Sequence, residues 1–241
     1  RQTPRSSSEQ MFRQGELGTR SIIELWGRLP YSSMNPGGHT MNPLTSVKGS
    51  IVTAFVLAAI LSIWLSMLVG SDIGAYPQIG RLLHIVSGVM WIGLLYYFNV
   101  VQVPGLADAA ADKGGPGGAA ISKYIAPRAL WWFRWAAVIT WTTGAYYLAF
   151  GFGSAKVLHD AFTLQPAFRV IGVGAWLGTI MLFNVWVLIW PNQKKVLGLV
   201  PATDEQKAKA RKIALLTSRI NFVLSVPMLM CMGGQGHGLP F

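Results

Sequence analysis

Residues 81–104, RLLHIVSGVMWIGLLYYFNVVQVP, form an apolar run that is long enough to cross a lipid bilayer. A helix rises about 1.5 Å per residue, so about 20 apolar residues span the hydrocarbon core. One ionisable side chain, His84, lies near the start of the run. Residues three and four apart share one face of a helix, and the face of His84 also carries Gly88, Trp91 and Leu95. This stripe could bind a flat cofactor or pack against another helix.

The composition is typical of an integral membrane protein. Hydrophobic residues make up 52% of the chain and charged residues only 12%, which is about half the usual charged share. The net charge of +11 is distributed between apolar runs, where anionic lipid headgroups are the expected partners, so we predict no nucleic-acid binding. The single Cys231 excludes an internal disulfide, and the sequence contains no CxxCH motif for covalent haem attachment.

Further apolar runs predict an all-α integral membrane helical bundle with about five transmembrane helices. The predicted spans are 51–69, 81–104, 130–152, 170–190 and 213–232. The Gly- and Ala-rich stretch 103–127 predicts a loop, and WPNQKK at 190–195 predicts a sharp end to the fourth span. The charged residues 202–212 predict a helix that extends out of the membrane.

Residues 1–50 are polar and basic and are predicted to be an N-terminal extension, with residues 51–241 as the transmembrane domain. Within 11–29, apolar residues fall at helical spacing. This pattern predicts an amphipathic helix on the membrane surface, and a helix packed on a partner subunit would have the same pattern.

The distribution of Lys and Arg predicts that the N-terminus lies inside. The N-terminal region, the stretch 103–127 and the segment after the fourth span are basic, whereas the connections 70–80 and 151–166 are nearly neutral. With five spans, the C-terminus lies outside. This threading brings His84, His159 and His237 to the outer face and leaves His39 on the opposite side.

Three histidines at one membrane face suggest a haem. Two neutral imidazoles on opposite sides of a porphyrin can hold a low-spin haem b for electron transfer. We therefore predict a haem b with His84 and His237 as its iron ligands, His159 as the substitute second ligand, and Gly88 and Trp91 as cofactor contacts. In the alternative, His84 hydrogen-bonds a neighbouring helix and the other two histidines are solvated.

Other polar residues lie within the predicted spans. Arg219 has no Asp or Glu in any span beside it, so it could reach the headgroups, cap helix carbonyls or meet an anionic group of a cofactor or lipid. Arg134 lies in an aromatic belt and is expected to reach the headgroups. Four amide side chains are predicted to hydrogen-bond between helices, namely Asn99, Gln102, Asn184 and Asn221.

Four segments resemble the urate oxidase N-terminal membrane-domain family. They are HIVSGVMWIGLLYYFNV (84–100), RWAAVITWTTGAYYL (134–148), GTIMLFNVWVLIWPNQKKVLG (178–198) and SRINFVLSVPMLMCM (218–232). The matching positions are His84, Trp91, Gly93, Asn184, Pro191, Asn192, Gln193, Arg219 and Asn221. The resemblance implies a membrane domain of urate-oxidising enzymes whose outer cytochrome c domain takes electrons. We expect that cytochrome c to be a separate partner of this chain.

These observations predict a membrane subunit of an electron-transfer complex, located in the bacterial inner membrane or an equivalent energy-transducing membrane. Its predicted partners are the lipid bilayer, other membrane subunits and a cytochrome c. Two alternatives stay open. One is a cofactor-free structural subunit of a respiratory or photosynthetic complex, and the other is a urate-oxidising enzyme that works with a separate cytochrome.

Overall fold

The computed structural model describes residues 43–69, 77–152 and 154–240. These residues form helices and connections and contain no β-strand, so the all-α class is confirmed. The chain divides into two compact units, Arg1–Gly70 and Ser71–Phe241. The amphipathic helix predicted at 11–29 and the predicted position of His39 lie outside the described residues.

The described part of the first unit is a single apolar helix, α1, Val47–Val69. A 3-10 turn, Pro43–Thr45, precedes it. The segment Val47–Leu68 is long and apolar enough to cross a membrane. The first predicted span is therefore confirmed as a helix of the right length and apolarity, and it begins earlier than predicted.

The described residues of the second unit form four long helices and one short helix. They are α2 (Pro77–Ala111), α3 (Ala126–Phe150), α4 (Lys156–Phe162), α5 (Pro166–Val196) and α6 (Asp204–His237). With α1, helices α2, α5 and α6 make the four described helices that are long and apolar enough to cross a membrane. Helix α3 has 25 residues, which is enough length, but it is not among the described helices that are also apolar enough.

The long helices of the second unit share one core. Helix α2 packs along α3, and α5 packs along α6. Leu95, Phe133 and Met181, from α2, α3 and α5, are at most 1% exposed and belong to one buried cluster. Met228 of α6 completes this cluster, so all four long helices bury one face together.

Three π-helical segments each precede a proline. They are Tyr97–Gln102 before Pro104, Ile121–Ile125 before Pro127, and Asn184–Ile189 before Pro191. Proline has no N–H to donate, and its ring collides with the carbonyl four residues earlier in a regular α-helix. In each case that carbonyl belongs to the wider π turn. The helix therefore continues through the proline instead of ending there.

Two sequence predictions are wrong for this reason. Helix α2 passes Pro104 and continues to Ala111, and helical structure resumes at residue 119, so the predicted loop 103–127 shrinks to residues 112–118. The Ala-rich sequence after Pro104 favours this continuation. Helix α5 likewise passes Pro191 and ends at Val196, so the helix extends six residues beyond the predicted end of the fourth span at Trp190.

Helix α6 joins the charged segment and the fifth apolar segment in one helix of 34 residues. It begins with a capping box, in which Thr203 and Gln206 satisfy each other's backbone N–H groups. The predicted helical extension at 202–212 is therefore confirmed from Asp204 onward. The helix also continues through Pro227 to His237, beyond the predicted end of the span.

Amide side chains join the helices, as predicted for three of the four. Asn99 Nδ2 donates to Ser218 Oγ at 2.9 Å. Asn184 Nδ2 donates to Asn221 Oδ1 at 2.7 Å, and Asn221 Nδ2 donates to the Met181 carbonyl at 3.0 Å. Gln102 differs, because its side-chain oxygen is buried without a hydrogen-bond partner in the described part of the chain.

Candidate functional site

His84 lies half-buried on α2 and contacts α3. Its Nδ1–H donates to the carbonyl oxygen of Thr140 at 2.7 Å. Because a carbonyl oxygen can only accept, Nδ1 carries the proton, and Nε2 of the neutral ring keeps its lone pair. Within the described ranges, Nε2 has no hydrogen-bond partner.

Gly144 allows the imidazole of His84 to approach α3. It lies one turn after Thr140, and a Cβ added to it would lie 2.7 Å from both Cε1 and Nδ1 of His84. Any side chain at position 144 would therefore displace the ring. Neither Thr140 nor Gly144 was predicted, since nothing in the sequence marks residues that meet His84 only after α2 and α3 pack together.

Two hydroxyl groups support this contact. Thr140 Oγ1 lies 3.0 Å from Ser87 Oγ, one turn below His84. Ser87 Oγ donates to the Leu83 carbonyl at 2.6 Å and accepts from Thr140 Oγ1, whose single hydrogen is shared between Ser87 Oγ and the Ala136 carbonyl at 2.7 Å. These bonds hold the Thr140 side chain against α2. They therefore help to position the Thr140 carbonyl that accepts the hydrogen bond from His84.

The other residues of the His84 stripe face the helix core. A Cβ on Gly88 would lie 3.6 Å from Thr140 Cγ2, which is an ordinary contact, so the packing would accept a side chain there. Trp91 is 2% exposed and belongs to the same cluster as Leu95 and Phe133. Its indole Nε1 is buried and has no hydrogen-bond partner among the described residues.

The three predicted haem-site histidines lie at one end of the second unit. The start of α2 meets the end of α3, where Arg81 lies 5.8 Å from the Tyr147 ring centroid. The end of α6 meets the start of α5, where the Gln235 side chain donates to Ala167 and accepts from the Ile171 N–H, each at 3.0 Å. Helix α4, which carries His159, connects α3 with α5 at this end.

No hydrogen bond joins these three imidazoles. His159 is exposed, and its Nδ1 lies 3.5 Å from Asp160 Oδ1. His237 is exposed at the last position of α6. The described ranges contain no group of three or more His, Cys, Asp or Glu that could hold a metal ion. The structure thus brings the three residues to a common end and fixes only the ring of His84.

Arg219 is exposed on α6 and forms no ion pair with a described residue. It lies 18 positions before His237, which is about 27 Å along a helix. A cofactor would have to extend deep into the bundle to contact Arg219 and His237 together.

The site offers one oriented imidazole nitrogen for a metal. A histidine that binds a metal through one nitrogen usually donates the other N–H to a carbonyl or carboxylate, which fixes its tautomer and orientation. His84 has this arrangement, with Thr140 as the acceptor. These residues therefore fit a haem, for which His84 Nε2 would supply one ligand to the iron.

Part of the chain is similar to a known protein family. No curated protein and no solved structure matches the chain. Residues 149–240 match the model of a family described as urate oxidase N-terminal. This range holds α4, α5 and α6 and two of the resembling segments, 178–198 and 218–232, whereas His84 precedes it. The predicted resemblance is therefore confirmed for the segments 178–198 and 218–232, whereas the segments 84–100 and 134–148 precede the matched range.

Proposed function

We propose that the chain is an integral membrane subunit of an electron-transfer complex and that it binds a haem b through Nε2 of His84. The observation that carries the proposal is the hydrogen bond from His84 Nδ1 to the Thr140 carbonyl. This bond keeps the proton away from Nε2 and holds the ring in one orientation. A bound haem would supply one-electron redox chemistry, and this chain would supply the ligand, its orientation and an apolar surrounding.

The second iron ligand in this proposal is His237, with His159 as its substitute. Both are exposed at the same end of the bundle as His84, so neither is committed to a structural contact within the core. Gly88 and Trp91 are the proposed cofactor contacts on α2, and a cofactor would have to enter the packed face of α2 to reach them, because Gly88 faces Thr140 and Trp91 is 2% exposed. Arg219 is the proposed contact for an anionic group of the cofactor or for a lipid phosphate.

The proposed membrane arrangement has five spans, with α3 as the third. The place of α3 among the spans is supported by its long contact with α2, because α2 is one of the four described helices that are apolar enough to cross a membrane. Basic residues concentrate near the junction of α5 and α6, with Lys194, Lys195, Arg211 and Lys212. Since cytoplasmic segments are enriched in Lys and Arg, this end lies inside, with the N-terminus, and the C-terminus lies outside.

This arrangement suggests the partners and the membrane. An outer cytochrome c would exchange electrons at the end of the bundle that carries the three histidines. Other subunits and the lipid bilayer would cover the exposed apolar side chains of α1, α2 and α6. The bacterial inner membrane, or an equivalent energy-transducing membrane, provides such partners.

The absorption spectrum of the purified chain tests the haem proposal. We expect a sharp α-band on reduction, and we expect His84→Ala to abolish it because no other imidazole is held in place by α3. His39→Ala, at the histidine predicted for the opposite membrane face, is the matched control and should retain the band. His237→Ala should shift the band if His237 is the second ligand, and His159→Ala should shift it if His159 takes that place. A wild-type chain without any chromophore would contradict the proposal and leave the cofactor-free accessory subunit.

Urate oxidation with a separate cytochrome is the second candidate function. The match of residues 149–240 to the urate oxidase N-terminal family favours it. The test is urate-dependent reduction of added cytochrome c by membranes that contain the chain. Reduction at the same rate in membranes without the chain would contradict this candidate.

A further inference from the structure

A groove between α3 and α5 lies apart from the His84 site. It has a volume of about 490 Å³, it is open to the surroundings, and its walls are almost entirely apolar. Trp135 and Trp141 of α3 form one wall, and Leu182 and Trp186 of α5 form the other.

Two of the three tryptophans that line this groove use their indole N–H within the protein. Trp141 Nε1 donates to Thr179 Oγ1 at 2.8 Å, and Trp186 Nε1 donates to the Arg134 carbonyl at 3.3 Å. Trp135 packs edge-to-face on Trp186, with ring centroids 5.4 Å apart. A groove whose walls present almost no polar surface suits a hydrocarbon chain rather than a polar ligand.

The cation of Arg134 lies at one end of the groove, next to the rings of Trp186 and Trp190. The Arg134 guanidinium carbon lies 3.7 Å from the Trp190 ring centroid and 5.9 Å from that of Trp186. Arg134 Nε is buried and has no hydrogen-bond partner in the part of the chain that the structure describes. The ion pairs within that part do not include Arg134, so its positive charge is not balanced by a carboxylate there.

A second cation lies beside the first. Lys194 Nζ is 5.9 Å from the centroid of the same Trp190 ring. Tryptophan faces attract cations, so Trp190 draws both Arg134 and Lys194 to one region of the protein despite their like charge. An anion between these two groups would reduce their repulsion and satisfy the free N–H of Arg134.

We propose that Arg134, Lys194 and the groove form a binding site for one anionic phospholipid. The phosphate contacts the two cations, and one acyl chain lies along Trp135, Leu182 and Trp186 toward Trp141. Position 141 lies about 10 Å along α3 from Arg134, so the groove receives the part of the chain nearest the headgroup. The negative headgroup is selected by charge, and the hydrocarbon chain by the apolar walls.

Other occupants use only half of this site. A free phosphate would contact Arg134 and leave the groove empty. A lipid with no net charge would fill the groove, but it would balance neither cation. Only an amphipathic anion would both balance the charge of Arg134 and fill the apolar groove.

Native mass spectrometry of the purified full chain tests the proposal. The chain is exposed to equal amounts of phosphatidylglycerol and phosphatidylcholine that carry the same acyl chains. We expect one retained phosphatidylglycerol, preferred by about fivefold or more. Equal retention of the two lipids would overturn the proposal, and so would displacement of phosphatidylglycerol by excess inorganic phosphate.

Matched variants test whether the preference for phosphatidylglycerol depends on Arg134. Arg134→Gln should abolish the preference, and Arg134→Lys should keep part of it, because lysine retains the charge but loses the planar stack. Arg128→Gln removes the same charge from an exposed position near the same end of α3 and should leave the preference unchanged. An equal loss in Arg128→Gln would show a diffuse charge effect and overturn the site.

The groove has its own variant. Val138→Trp would fill the groove from α3, and it should reduce retention of long-chain phosphatidylglycerol while Arg134 stays in place. Unchanged retention in Val138→Trp would contradict the location of the acyl chain. Thermal unfolding in detergent, measured for each variant, identifies any variant that has lost its fold.

Discussion

Replacing Gly144 by alanine is expected to displace the imidazole of His84, to destabilise the helix bundle and to abolish the proposed haem spectrum. The new Cβ would lie 2.7 Å from Cε1 and Nδ1 of His84, so the ring would have to move and release the Thr140 carbonyl. Overpacking of this kind costs about 1–3 kcal/mol of the free energy of unfolding. The gain in helix propensity from glycine to alanine, about 1 kcal/mol, offsets part of this cost.

Gly93→Ala is the matched control for Gly144→Ala. Position 93 is on α2, and no heavy atom lies within 4 Å of a Cβ placed there. We therefore expect Gly93→Ala to leave the stability unchanged or to raise it slightly. Equilibrium unfolding in mixed micelles measures the difference between the two variants. Equal stability of the two, together with an unchanged spectrum, would contradict the contact between His84 and Gly144.

A double-mutant cycle identifies the side chain that opposes the new Cβ. In a His84→Ala background the imidazole is gone, so Gly144→Ala should cost much less than in the wild-type chain. The same cost in both backgrounds would mean that another neighbour causes the destabilisation.

Replacing Asn221 by leucine is expected to have the second large effect. Asn221 has no exposed surface, and its amide bonds both the Asn184 side chain and the Met181 carbonyl. Leucine removes these bonds and leaves the Asn184 amide unpaired in an apolar interior. A buried unpaired amide costs about 1–3 kcal/mol, so we expect a loss of that size in the free energy of unfolding.

The neighbouring asparagines provide the controls. Asn192→Leu should cost about 0.5 kcal/mol or less, because Asn192 bonds only a carbonyl of its own helix, that of Leu188. Asn184→Leu combined with Asn221→Leu should cost less than the sum of the single changes, since the double variant leaves no unpaired amide. Additive losses would contradict a direct bond between the two side chains.

The sequence predicted the helices well and their ends poorly. The apolar runs at 51–69 and 170–190 each lie within a helix of the structure, because length and apolarity are local properties of the sequence. The errors at Pro104 and Pro191 arose because proline usually interrupts a helix. A π turn removes that conflict, and a single sequence gives little sign of where one forms.

The candidate site was predicted only in part. His84 was found because an ionisable residue in an apolar run is conspicuous. Thr140 and Gly144 were missed, since their roles depend on packing between positions 56 or more residues apart in the chain. The stripe of His84, Gly88 and Trp91 was predicted to face either a cofactor or a helix. In the structure, Gly88 contacts α3 and Trp91 lies in the helix core.

Chemical rescue of His84→Gly tests the central claim most directly. The claim is that Nε2 of the ring held by Thr140 binds a haem iron. The purified glycine variant should lack the α-band of the reduced wild-type chain, and added imidazole should restore the band by occupying the vacated space. A glycine variant that keeps the wild-type spectrum without imidazole would contradict the claim.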